Sequence, residues 1–140
     1  MDPSLLELEL TESIAVSKSE RSRELLQSLR DMGIGIAVDD FGTGQTSLTY
    51  LKQFPVDTVK IDRSFVVDVT RKLSDQSIVS AVLLLANDLG LRTVAEGVET
   101  DAQCEFLRVH DCQEIQGFLI SRPLAPQALQ RRFLETAATV

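Results

Sequence analysis

The apolar positions of this chain come in short blocks that switch between two periods. Leu6-Glu7-Leu8-Glu9-Leu10-Thr11-Glu12 alternates apolar and polar residues, the period of two expected of a strand. The spacing then lengthens. Leu25, Leu26 and Leu29 predict a helix from about Glu20 to Met32, with these leucines facing inward and Gly33 stopping it. Ser17 and Glu20 stand at capping-box spacing just before it. Further strands are expected at 34–38, 58–61, 93–95 and 114–117, each a short run of apolar or β-branched residues. Between them fall a short helix around Ser47–Gln53 that ends before Pro55, and a loop or short helix near 63–70. A long helix from Asp75 to Leu89 carries Ile78, Val82, Leu85, Ala86 and Leu89 on its face. The pair Thr100 and Gln103 opens a helix to about Val109, and Pro126 opens a last one containing Leu129 and Phe133.

Strands alternating with helices imply a parallel sheet with right-handed crossovers. The expected fold class is α/β, an incomplete (β/α)8 TIM-type barrel of about five βα units. The 140 residues suffice for one domain with a real core, and no low-complexity linker divides them.

Polar residues gather where the strands end. Glu9 and Glu12, Asp39 and Asp40, Lys60 and Asp62, Glu96 and Glu99, and Gln116 each follow an apolar strand body. In a barrel these carboxyl ends converge on one face, where such folds build their sites. The adjacent Asp39 and Asp40 repel each other, which calls for a cation or strong hydrogen bonds, and glycines 42 and 44 follow at once.

Composition narrows the partners. With 44% hydrophobic and 25% charged residues the chain is ordinary for a globular protein. Its formal net charge of −7 argues against nucleic-acid polymers, and a polyanionic ligand would need metal ions or local cations. Cys104 and Cys112 form neither a zinc pattern nor a disulfide framework, so free thiols in a reducing compartment are expected. His110, the one histidine, suits a helix-capping role. The longest apolar stretch, Ala81 to Ala86, is too short to span a bilayer, and with no signal peptide a cytoplasmic location is expected.

Oxygen donors without Cys or His favour the hard cations Mg²⁺ or Mn²⁺. Carboxylates around two such ions can activate water and neutralise a phosphodiester. Lys60 can orient the nucleophile or stabilise developing charge, or instead form a structural ion pair with Asp62 or Asp40. Phosphoester hydrolysis follows from this chemistry, but the substrate does not.

Glu9-Leu10-Thr11-Glu12, Asp39-Asp40-Phe41-Gly42-Thr43-Gly44, Lys60-Ile61-Asp62, Glu96-Gly97-Val98-Glu99, and Gln116-Gly117-Phe118 with Ser121-Arg122-Pro123 resemble the ordered motifs of the EAL domain family. That family hydrolyses cyclic di-GMP to the linear dinucleotide. The resemblance implies that Glu9, Asp39 and Asp40 are metal ligands, for two Mg²⁺ or Mn²⁺ ions in a complete domain. Lys60 would contact the catalytic water or the metal-centre carboxylates, and Glu96 would be a metal-site or general-base carboxylate. Gln116 and Asp62 would support the polar network. Residues Asp40 to Leu48 match a mobile loop that couples substrate and metal binding to dimerisation, with Gly42 and Thr43 on the substrate side. Glu12 would anchor that loop, and Glu99 would be a supporting acid near the dimer surface. Arg122 and Pro123 resemble positions beside the guanine-binding region.

Two departures matter. Gln45-Thr46 replaces the usual aromatic-Ser pair of the loop. The family's Glu-Ala-Leu segment and its Asn ligand, carried on earlier strands, are absent, so residues 1–140 correspond to the C-terminal portion of an EAL domain. Weak or no turnover is expected from a partial ligand set. The alternative is a noncatalytic cyclic di-GMP receptor or protein-interaction domain. Open sheet edges recruit partners, so self-association is expected, as a homodimer or by edge completion.

Overall fold

The computed structural model describes residues 2–11, 20–43 and 54–134, with side chains through residue 132. Five strands, β1 (Glu7–Thr11), β2 (Gly35–Phe41), β3 (Thr58–Ile61), β4 (Arg92–Glu96) and β5 (Glu114–Gln116), form one sheet in chain order. Every pairing is parallel. The helices are α1 (Glu20–Asp31), α2 (Arg63–Val66), α3 (Leu73–Asp88), α4 (Asp101–Val109) and α5 (Pro126–Leu129), the last continued by a π-helical turn at Gln130–Leu134. Parallel strands in sequential order, with helices in the crossovers, make the wall of a partial (β/α) barrel. The Ser17–Glu20 capping pair, the helix expected around 47–53, and Glu12, Gly44, Gln45 and Thr46 lie outside the described residues.

Alternation along the strands sorts the side chains into two faces. Leu10, Ile36, Val38, Val59, Ile61, Ala95 and Ile115 pack outward into two apolar clusters shared with the helices. The opposite face carries Glu7 and Glu9, then Gly35, Ala37 and Asp39, then Thr58 and Lys60, then Arg92, Val94 and Glu96, then Glu114 and Gln116. One face is almost wholly apolar, and the other holds most of the charge.

β2 breaks this parity once. Val38 pairs with Val59 and Phe41 with Ile61, so the two residues Asp39 and Asp40 stand against the single Lys60. This bulge takes β2 through both aspartates to Phe41, past the end expected at Val38. The extra residue moves Phe41 to the outer face, where it is buried in the first cluster. Asp40 adopts the left-handed conformation, φ 55°. That conformation costs about 1 kcal/mol for a residue with a Cβ. The Asp40 N–H donates to the Asp39 side chain at 3.0 Å, and Thr43 donates its N–H and hydroxyl to the Asp40 carbonyl.

Two helix faces differ from expectation. In α1, Leu26 is buried and Leu29 packs against the first cluster, but Leu25 is exposed. In α3 Val79, Leu83 and Ala86 are buried and the expected Val82, Leu85 and Leu89 pack partly buried against the core, whereas Ile78 is exposed. From Ile78 to Ala86 every residue of α3 except Ser80 is apolar, so periodicity alone could not select the buried stripe. At α4 the reading holds to the residue. Thr100 and Gln103 form a reciprocal capping box, and His110 closes the helix, stacked on Phe106. Cys104 and Cys112 are free thiols packed against the second cluster.

Leu83→Ala should lower the unfolding free energy by about 2–5 kcal/mol, because its side chain is fully buried. Leu84→Ala, one residue on and exposed, should stay within about 0.5 kcal/mol. Urea unfolding of the two variants checks which face α3 buries.

Candidate active site

Lys60 stands near the carboxyl end of β3, the central strand, whose residues are all buried. Its Nζ lies 2.5 Å from Glu9 Oε1, 2.7 Å from Glu96 Oε1 and 3.7 Å from Asp39 Oδ1. These partners come from β1, β4 and β2, so one ammonium ties four strands together. Glu9 does this from a distance, since among the described residues β1 pairs with β2 and not with β3. It is in register with the small, buried Ala37, over which its side chain reaches β3.

Burial works against the Lys60 charge. The hydrogen bonds to Glu9 and Glu96, with the charges of Glu96 and Asp39, outweigh it and hold the ammonium well above the ordinary lysine value. Three carboxylates around one ammonium leave an excess of negative charge. The oxygen-only set therefore suits a hard divalent cation. Glu9 and Asp39, with Asp40 beside them on the bulge, are the residues that could hold it. Among the described residues no three Asp, Glu, His or Cys side chains already stand at ligating spacing. The arrangement has the donor chemistry of a metal floor, with a lysine at its centre.

The loops after β4 and β5 build a cleft beside this cluster. Val98 N–H donates to the Gln116 carbonyl at 3.1 Å, and Leu119 N–H donates to the Val98 carbonyl at 3.0 Å. Glycine permits this approach: a Cβ on Gly117 would sit 2.1 Å from the Val98 oxygen. Gly97 has φ +70°, and a Cβ there would meet Arg63 Cγ at 2.2 Å. The resulting cleft, about 200 Å³, is lined by Arg63, Glu96, Glu99, Gln116 and Phe118 together with the two glycines.

The expected site residues thus divide. Lys60, Glu9, Asp39 and Glu96 are brought together, and Gln116 stands in register beside Glu96 and lines the same cleft. Asp62 instead caps α2, accepting from Ser64 N–H at 3.0 Å. Glu99 pairs with Arg63 at 2.7 Å. Gly42 and Thr43 open the loop after β2, with Gly42 against the Phe65 ring. Arg122 stacks over Phe118 at 4.5 Å, and Pro123 is exposed beside it. Sequence reasoning gave no role to Arg63, next to Asp62, or to Phe118, which it quoted only as part of the Gln116-Gly117-Phe118 motif. Gln103 was read only as a cap. Buried, it accepts from the Glu99 and Thr100 N–H groups and donates to the Val67 carbonyl at 3.1 Å, tying the post-β4 loop to α2.

A family model, the EAL domain, matches residues 1–123. The chain belongs to the EAL domain family. It is 47% identical over 129 residues to the bifunctional diguanylate cyclase/cyclic di-GMP phosphodiesterase MucR of Pseudomonas aeruginosa, covering 92% of this chain and 19% of that protein. The solved phosphodiesterase PaMucR in complex with cyclic di-GMP superposes with a TM-score of 0.87, over 92% of this chain and 52% of that one. A manganese/cyclic di-GMP complex of Klebsiella pneumoniae BlrP1, 36% identical, superposes with a TM-score of 0.81 over 88% of this chain and 31% of that one. A calcium/cyclic di-GMP complex of the same protein also matches. The chain thus spans about a fifth of MucR and about half of the solved PaMucR chain. EAL structures that resemble it hold divalent metals with the nucleotide.

Lys60→Met in this EAL chain should cost up to about 3 kcal/mol, below a fully buried pair because Glu9 is half exposed. A raised folded value means the lysine's contribution is complete below its ordinary value of 10.5 and is lost only as pH rises toward the folded one. Denaturant unfolding at pH 7, 9 and 11 should therefore show a gap between the parent chain and Lys60→Met that is equal at the first two and narrower at the third.

Proposed function

We propose that this chain is the C-terminal part of a cyclic di-GMP phosphodiesterase domain acting in bacterial second-messenger signalling. The observation that carries the proposal is the convergence of Glu9, Asp39 and Glu96 on Lys60 beside a cleft, in a chain whose relatives include named phosphodiesterases. Glu9, Asp39 and Asp40 are the proposed metal ligands, for Mg²⁺ or Mn²⁺. Bound there, such ions would supply an activated water and neutralise charge on the scissile phosphodiester.

The chain's own residues have distinct tasks. Lys60 stays protonated at neutral pH, so it is a donor and a fixed positive charge rather than a base. Glu96 remains as the carboxylate that can accept a proton at the cleft. Gln116 and the Arg63–Glu99 pair border the cleft and orient what enters it. Arg122 and Phe118 offer a cationic and an aromatic surface to a guanine. No described helix is long and apolar enough to cross a membrane, and a cytoplasmic location with self-association completes the proposal.

A second reading, a noncatalytic cyclic di-GMP receptor, is favoured by one observation. Lys60 already neutralises part of the carboxylate set, and no described trio stands at metal-ligating spacing. Incubation with cyclic di-GMP and Mg²⁺ or Mn²⁺, following the linear dinucleotide, separates the two. Weak turnover that Glu96→Gln abolishes supports the first reading; binding without turnover supports the receptor; neither binding nor turnover removes both. Sizing in solution should show self-association at micromolar concentration, and a stable monomer there would overturn that part.

A further inference from the structure

The charged face of the sheet has two storeys. The upper is the Lys60 cluster. The lower lies toward the strand beginnings and consists of Glu7 on β1, Thr58 on β3, Arg92 on β4 and Glu114 on β5. Glu7 Oε2 accepts from the Thr58 hydroxyl at 2.8 Å and from Arg92 at 2.6 Å. The other arm of Arg92 reaches Glu114 at 3.4 Å. Glu7 is in register with Gly35, and a Cβ there would already touch the Glu7 side chain at 3.5 Å. The missing side chain leaves room for Glu7 to cross β2, as Ala37 does for Glu9 one storey up.

Among the described residues β1 pairs through its backbone with β2, and the two crossings tie it by side chains to β3 and β4 as well. Glu7 and Glu9 project from one rigid strand, two residues apart. Whatever holds Glu7 over β3 therefore sets where Glu9 meets Lys60. We propose that Arg92 is a positioning residue: through Glu7 it holds β1 in place and so fixes the contact of Glu9 with Lys60. Thr58, fully buried, shares the same Glu7 oxygen and gives the crossing a second anchor. Exposed ion pairs are individually weak. This one acts through geometry, closing a link between residues 85 positions apart in the chain. The bearing of Arg92 on hydrolysis rests on the phosphodiesterase reading, but its effect on Glu9 and Lys60 does not.

The test is the exchange of the Lys60 ammonium protons in the ¹⁵N-lysine-labelled chain, with Lys60→Met to assign the signal. An ammonium that is buried and hydrogen-bonded exchanges slowly, and opening of its contacts speeds it. Arg92→Met and Glu7→Gln should each accelerate exchange about tenfold, the factor given by about 1.4 kcal/mol of lost local stability. Arg92→Lys should restore part of the protection. Arg108→Met, which breaks the surface pair with Glu105, should leave the signal unchanged even if it lowers the melting temperature. Unchanged exchange in both Arg92→Met and Glu7→Gln would overturn the proposal. So would a parent chain whose Lys60 ammonium is not protected. Neither metal nor nucleotide enters the measurement, so failure of the phosphodiesterase reading would leave its result standing.

Discussion

The structure depends on a buried ammonium. A lysine on the central strand of a sheet faces a severe desolvation cost unless its charge is matched. Here Lys60 is matched three times, by carboxylates from three other strands. Those carboxylates in turn lie within reach of one another only because the lysine lies between them, since unshielded they would repel. The contacts that make the cluster tolerable also fix the relative height of four strands.

The residues around the cluster follow from this demand. Small side chains on β2 let acidic ones on β1 cross it, and the bulge sets two aspartates against one lysine while returning Phe41 to the core. Glycines 97 and 117 bring the loops after β4 and β5 close enough to share backbone hydrogen bonds, and so close one side of the cleft. Backbone strain is accepted at Asp40, at the cluster's edge, where hydrogen bonds from its own neighbours hold the turn. Charged and apolar side chains occupy opposite faces of one sheet, and Lys60 contributes to stability from the charged one.

The alternation of strands and helices, the capping box at Thr100, and the gathering of acids at strand ends were all legible in the linear chain. These are local signals: a period of two or of 3.6, a pair three residues apart, a polar residue after an apolar run. The EAL motifs are of the same kind. Most of the expected face of α3 packs inward, Val82, Leu85, Ala86 and Leu89 among it, but Ile78 there and Leu25 in α1 are exposed, and Val79 and Leu83 could not be singled out in so apolar a stretch. For Lys60 the residues alone offered Asp62 or Asp40 as ion partners, whereas the family resemblance offered the metal-centre carboxylates that it does contact. Asp62 is two residues away in sequence but is held at a helix N-terminus, while Glu9 is 51 residues away and in contact.

Among the described residues, the sequence by itself determined which strands and helices form; it also determined the family to which the chain belongs and the oxygen-rich character of the site. Only the tertiary structure decided which carboxylates meet the lysine, that Arg63, Phe118 and Gln103 shape the cleft, and that a second charged storey lies beneath the first. The reason is physical. Local pattern records which face of an element a residue occupies, but reach across a sheet depends on what the intervening strand leaves out. A glycine at 35 and an alanine at 37 are unremarked in the chain, and between strands they are the space through which β1 touches β3.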